Sequence, residues 1–196
     1  MDRIRKGVCC SERVELLHDQ PTSALSRLRQ GQTPLHISVH FGHMEASKML
    51  IGAGANVNAQ CVIGYTPLHL AAVACNMEVS QMLIRAGANV NATNNEGQTP
   101  LRLSARNGQL ELHQMLIDAG ADVNATDKVG YTPLLVSAFK GNVELTRLLI
   151  GAGTNVNCQS LEHGFTPLHA SAGFGHVELT QMLVGVGANV HAMDNL

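Results

Sequence analysis

The 196-residue chain has no tryptophan and only six other aromatic residues, two Tyr and four Phe, so its core has to rest on aliphatic side chains. Charge is equally scarce. Asp, Glu, Lys and Arg make up 14% of the chain, and 13 basic against 15 acidic residues leave a formal charge of −2, which gives no electrostatic footprint for nucleic acid or an anionic membrane. No apolar run approaches the roughly 18 residues that a membrane-spanning helix needs, and the N-terminal MDRIRKGVCC lacks the apolar stretch of a secretory signal. Cysteines stand at 9, 10, 61, 75 and 158, an odd number without CxxC spacing, which fits reduced thiols better than a disulfide framework. There is no GxSxG, GxxxxGK[ST] or HExxH pattern. The expectations are a cytoplasmic chain, with the nucleus as second compartment, that binds neither nucleic acid nor membrane. It should carry no cofactor and no metal, and should not be an enzyme.

What the chain has in abundance is repetition. GQTPLH at 31, GYTPLH at 64, GQTPLR at 97, GYTPLL at 130 and GFTPLH at 164 recur at intervals of 33, 33, 33 and 34 residues. A second phrase keeps step: GANVNA at 54 and 87, GADVNA at 120, GTNVNC at 153 and GANVHA at 187.

Each unit decodes physically. In TPLH the Thr can cap a helix, and Pro suits the first helical position because the N–H it lacks has no intrahelical partner there. A short helix is followed by a break, then by MEASKMLI, MEVSQMLI, LELHQMLI, VELTRLLI and VELTQMLV, each reading as a second helix. Apolar residues at i, i+3 and i+4 predict a buried stripe in each: Ala46, Met49, Leu50; Val79, Met82, Leu83; Leu112, Met115, Leu116; Leu145, Leu148, Leu149; and Leu179, Met182, Leu183. A glycine suited to the left-handed region then ends the helix, and a turn-rich loop leads to the next TPLH.

This double phrase resembles the ankyrin repeat over residues 31–196. The resemblance implies an all-α solenoid of stacked helix-turn-helix units with projecting hairpin loops, the units starting near 31, 64, 97, 130 and 164. With a step of 33 residues, Glu12, Leu16 and Leu17 fall opposite Glu45, Met49 and Leu50, so residues 1–30 are expected to form a degenerate N-terminal capping segment. Arg102 and Leu135 replace the TPLH histidine in two units, which should soften them. One extra residue near Leu161 lengthens the last hairpin.

Residues 36–43, HISVHFGH, hold three histidines at spacings a metal site could use. However, His36 aligns with His69 and His169, and His43 with His176, so they are repeat positions. The resemblance makes the TPLH histidine structural, bonding within and between repeats. It also implies a protein or peptide partner held in a concave groove lined by hairpin tips and first helices. The positions that vary there give the expected partner-binding residues Phe41, Val62, Ile63, Tyr65, Arg106, Tyr131, Phe139, Lys140, Phe165 and Phe174. All six aromatics are among them, and Tyr65, Tyr131 and Phe139 are expected to be the most exposed. Family resemblance further suggests Asn58, Asn91, Asn124 and Asn157 as hydroxylation sites, each eight residues past a Leu. The function expected is a monomeric, non-enzymatic protein-protein interaction module. The alternative is a substrate-recruiting region of a larger ubiquitin-ligase adaptor, kinase or channel protein, truncated at its C-terminus.

Overall fold

The computed structural model describes residues 31–107 and 109–195. Among them lie ten helices in five pairs and no strand: α1 (Pro34–His40) with α2 (Met44–Gly52), α3 (Pro67–Val73) with α4 (Met77–Arg85), α5 (Pro100–Ser104) with α6 (Leu110–Asp118), α7 (Pro133–Lys140) with α8 (Val143–Gly151), and α9 (Pro167–Gly173) with α10 (Val177–Gly185). The expected all-α repeat architecture is what forms. The proposed cap, residues 1–30, lies outside the described residues.

None of these helices is long enough to be stable alone in water, so their stability comes from capping and stacking. Thr33, Thr66, Thr99, Thr132 and Thr166 each accept a hydrogen bond from the backbone N–H three residues on, with Pro at the first helical position. Second helices end in Gly54, Gly87, Gly120, Gly153 and Gly187, all at φ of 82–90°, where a Cβ would be strained.

The chain divides into two compact units between Ala88 and Asn89. In the first, α1 packs on α2 and α3, and α4 on α2 and α3, around Leu35, Val39, Leu68, Val79 and Leu83. In the second, α7 packs on α5, α8 and α9, while α8 meets α6 and α10. Its core is a row of fully buried leucines, among them Leu101, Leu112, Leu116, Leu134, Leu145, Leu149, Leu179 and Leu183. A leucine fully withdrawn from water contributes about 1.5–3 kcal/mol.

Four of the five predicted stripes hold, with the first and last residue of each fully buried and the middle one half-buried. The first stripe does not. Met49 is 75% exposed, Ala46 is exposed and Leu50 only half-buried. Among the described residues α2 has a stacked neighbour on one side only, so the face that α4 covers with α2 has no counterpart there.

The substituted TPLH positions make other contacts. Leu135 has no exposed surface and joins Ala138, Ala170, Leu179, Leu183 and Ala188 in one cluster. Arg102 is buried and forms an ion pair with Asp127 of the next unit's hairpin, whose Oδ1 accepts the backbone N–H groups of Val129 at 3.1 Å and Tyr131 at 2.9 Å. A charged link between repeats stands where other units use a ring.

Candidate functional site

Bonding geometry gives the TPLH histidine a structural role. Thr33 N–H donates to Nδ1 of His36 at 3.1 Å, so the ring proton sits on Nε2, which donates to the Tyr65 carbonyl at 2.9 Å. Burial pushes the imidazole pKa down, against the pull of the Tyr65 and Ala59 carbonyls. The ring therefore caps its own helix and ties one repeat to the next as a neutral group, with both nitrogens committed. His69 and His169 cap Thr66 and Thr166 in the same way. Among the described residues no group of three His, Cys, Asp or Glu is placed to hold a metal.

Four of the six aromatics come together in the second unit. Phe139, near the end of α7, has its ring centroid 5.6 Å from Tyr131, 6.5 Å from Phe165 and 5.8 Å from Phe174, the last two edge-on. Such offset and edge contacts are worth about 0.5–1.5 kcal/mol each beyond area burial. The positions follow from the fold: Tyr131 and Phe165 directly precede the capping threonines of α7 and α9, and Phe174 caps the C-terminus of α9.

The order of exposure is the reverse of that expected. Tyr65, Tyr131 and Phe139 are half-buried, while Phe174 is 65% and Phe41 56% exposed. Tyr131 and Phe139 pack on the Leu135 and Leu183 cluster, so they support the face, and Phe174 presents it. Phe165, half-buried, lies between His163 and His169 at 5.9 Å from each. Lys140 and Arg106, at or just past the ends of α7 and α5, are exposed.

Val62 is exposed and Ile63 half-buried at the hairpin tip of the first unit, where Phe41 and Tyr65 also lie. In that unit Phe41 contacts His40 at 5.0 Å and His43 at 6.0 Å, and Tyr65 contacts His69 at 5.5 Å.

Sequence reasoning missed His176. Its ring stacks on Phe174 at 6.1 Å and 12°, and Nε2 donates to the Phe139 carbonyl at 3.4 Å, fixing the two aromatics relative to each other. The signal was present, because Phe-Gly-His occurs at 41–43 and again at 174–176, with the same ring stacking. Gly141 serves the same contact: a Cβ at that residue would lie 2.6 Å from the His176 ring.

The longer last hairpin differs as expected. Ser160 N–H reaches the Phe165 carbonyl, five residues on, where Asp127 reaches Tyr131, four on, and the tip residue Leu161 is 71% exposed.

The four asparagines are exposed and bridge consecutive repeats. Asn58, Asn91 and Asn157 donate Nδ2 to the carbonyls of Gly87, Gly120 and Gly187 at 3.0, 2.9 and 3.4 Å. Asn124 Oδ1 accepts the Asn155 N–H at 2.8 Å.

Cys61 is buried, and burial raises the pKa of Cys158, whose sulfur lies 3.2 Å from the Thr132 hydroxyl. Cys75 takes a left-handed φ of 54° in place of the glycine found between helices elsewhere. No helix among the described residues is long and apolar enough to cross a membrane.

Comparison with known proteins agrees with this geometry. A family profile described as ankyrin repeats (3 copies) matches residues 5–94, 53–127 and 101–194. A segment of 57 residues is 35% identical to mouse (Mus musculus) oxysterol-binding protein-related protein 1, covering 29% of this chain and 6% of that protein. Ankyrin repeats are generally protein-protein interaction modules and typically non-enzymatic. With capped helix pairs, glycine-ended second helices and a family match over almost its whole length, the chain belongs to the ankyrin-repeat family.

Proposed function

We propose that the chain is a non-enzymatic module that binds a protein or peptide partner through the aromatic face of its second unit. Phe174 is the exposed anchor, Tyr131, Phe139 and Phe165 support it, and Lys140 and Arg106 lie at the rim. Phe41, Val62, Ile63 and Tyr65 are the proposed binding residues of the first unit. The observation that carries this reading is the convergence of four of the chain's six aromatics on one cluster whose outermost ring stays 65% exposed. Exposed aromatics on a rigid support are what dominate binding energy at protein interfaces, because little ordering entropy is lost on contact. Affinity capture with wild-type chain and Phe174→Ala tests it. Loss of specific partners from the variant, with unchanged circular dichroism, supports the reading; retention of every partner overturns it.

The same proposal takes the chain to act as a monomer in the cytoplasm, with the nucleus as second compartment, without cofactor, metal or nucleic acid. Asn58, Asn91, Asn124 and Asn157 are its proposed hydroxylation sites. A peptide mass increase of one oxygen at these residues, in protein isolated from its native cells, is the expected result.

A second reading is a recruiting region within a longer ubiquitin-ligase adaptor, kinase or channel protein. The similar stretch of the mouse protein is only 6% of that protein's length, so such repeats do occur as parts of larger chains. The mass of the endogenous protein on an immunoblot separates the two readings.

A further inference from the structure

The first-helix part of the aromatic face of the second unit has a one-sided charge pattern. The first helices α5, α7 and α9, together with the loops that follow them as far as His176, carry no Asp or Glu. They carry Arg102, already neutralised inside the fold by Asp127, and the exposed Arg106 and Lys140. The acidic residues of this unit's helices are all on the second layer, at Glu111, Asp118, Glu144 and Glu178. Hairpin tips carry both signs, with Glu96, Lys128 and Glu162, and Glu162 lies 3.9 Å from His163. Among the described residues neither Arg106 nor Lys140 meets a carboxylate within ion-pair distance. Lys140 is next in sequence to Phe139, whose ring touches Phe174, and Arg106 holds in its own repeat the place that Phe139 holds in the next.

We propose that this face takes a peptide segment in which Asp or Glu residues flank an aromatic or aliphatic anchor. The anchor sits on Phe174 and the edge of Phe139, and the carboxylates lie toward Lys140 and Arg106. This rests on the aromatic-face reading above and adds the chemistry of the partner. Two cations without partners beside an apolar surface repel basic segments and favour acidic ones, which gives specificity and faster association more than raw affinity.

The test is selection of a displayed random dodecapeptide library on the full chain, followed by fluorescence anisotropy with the best synthetic peptide. The expected pool is enriched in Asp and Glu beside Phe, Tyr, Leu or Met. Its binding should weaken about tenfold with the double substitution Arg106→Glu and Lys140→Glu, and again as salt rises from about 0.05 to 0.5 M. Both residues are exposed, so the double variant is expected to keep its fold, which circular dichroism checks. A neutral or basic pool, or an acidic peptide indifferent to the double variant, overturns the charge proposal. If that peptide is still lost with Phe174→Ala, the aromatic-face reading survives. If Phe174→Ala leaves binding unchanged, both fail. Competition by single-stranded nucleic acid at lower concentration than the peptide would also overturn it, assigning the cations to a polyanion.

Discussion

Arg102 and Asp127, 25 residues apart, form a buried ion pair that joins the first helix of one repeat to the hairpin of the next. The carboxylate also holds two hairpin N–H groups, so one side chain organises its own loop and fastens it to the repeat before. Removing one partner of such a pair leaves a buried charge uncompensated, which costs more than the pair itself contributes. Asp127→Asn keeps an oxygen for Val129 and Tyr131 but leaves the guanidinium unpaired. The expected loss is about 3–5 kcal/mol, read by urea unfolding. A loss under about 1 kcal/mol would show that water reaches Arg102.

His113 makes stability depend on pH. Its Nδ1–H donates to the Gln109 carbonyl, and the ring is fully buried. Burial pushes its pKa below the ordinary 6.5, opposed by the Ser104 and Gln109 carbonyls, so the unfolded chain binds more protons in the interval between the two values. Stability is therefore full above 6.5 and falls as pH drops through 6.5 toward the folded-state value. Burial of His36 acts in the same direction. Thr146 stands at the equivalent place in the next unit, where its hydroxyl lies 3.0 Å from that of Ser137. His113→Thr should therefore flatten the decline in Tm between neutral and mildly acidic pH, and an unchanged slope would clear His113 of this role.

Cys75 should be better as glycine. Its φ of 54° places a Cβ in the left-handed region, at a cost of about 1 kcal/mol that glycine avoids. Cys75→Gly is expected to raise Tm by a few degrees, about 2–4 °C at most. Cys75→Ala, which removes the thiol and keeps the strain, should not.

Tyr131 and Phe174 touch the same ring but should differ in what they stabilise. Tyr131→Ala opens a gap against the Leu135 and Leu183 cluster and is expected to cost about 2–3 kcal/mol. Phe174→Ala, at a site 65% exposed, should cost under about 1 kcal/mol. Equal losses in urea unfolding would make Phe174 a structural residue.

Ile37 and Met49, at 46% and 75% exposure, mark the apolar side of the first repeat that residues 1–30 are proposed to cap. Deletion of that segment should lower Tm and increase binding of an apolar dye. A deletion variant with unchanged Tm would remove the capping proposal.

The sequence by itself determined the repeat unit. Thr and Pro start each first helix, glycine ends each second, and the leucines at i and i+4 pack between neighbours. These are local rules of capping, backbone conformation and helical period, repeated in register, so periodicity alone exposes them. The tertiary structure decided what spacing cannot carry. Arg102 was legible as a missing histidine and not as a new link, because its partner is 25 residues away in a hairpin. Phe174 and Tyr131 were legible as groove positions, but which one faces water depends on the neighbours each meets in space, and only Tyr131 packs on the Leu135 and Leu183 cluster. Met49 fits the stripe as well as Met82 does, and differs only in what stacks beside it. Burial is a property of neighbours in space, and in a stack of near-identical units the neighbours alone make one copy core and another surface.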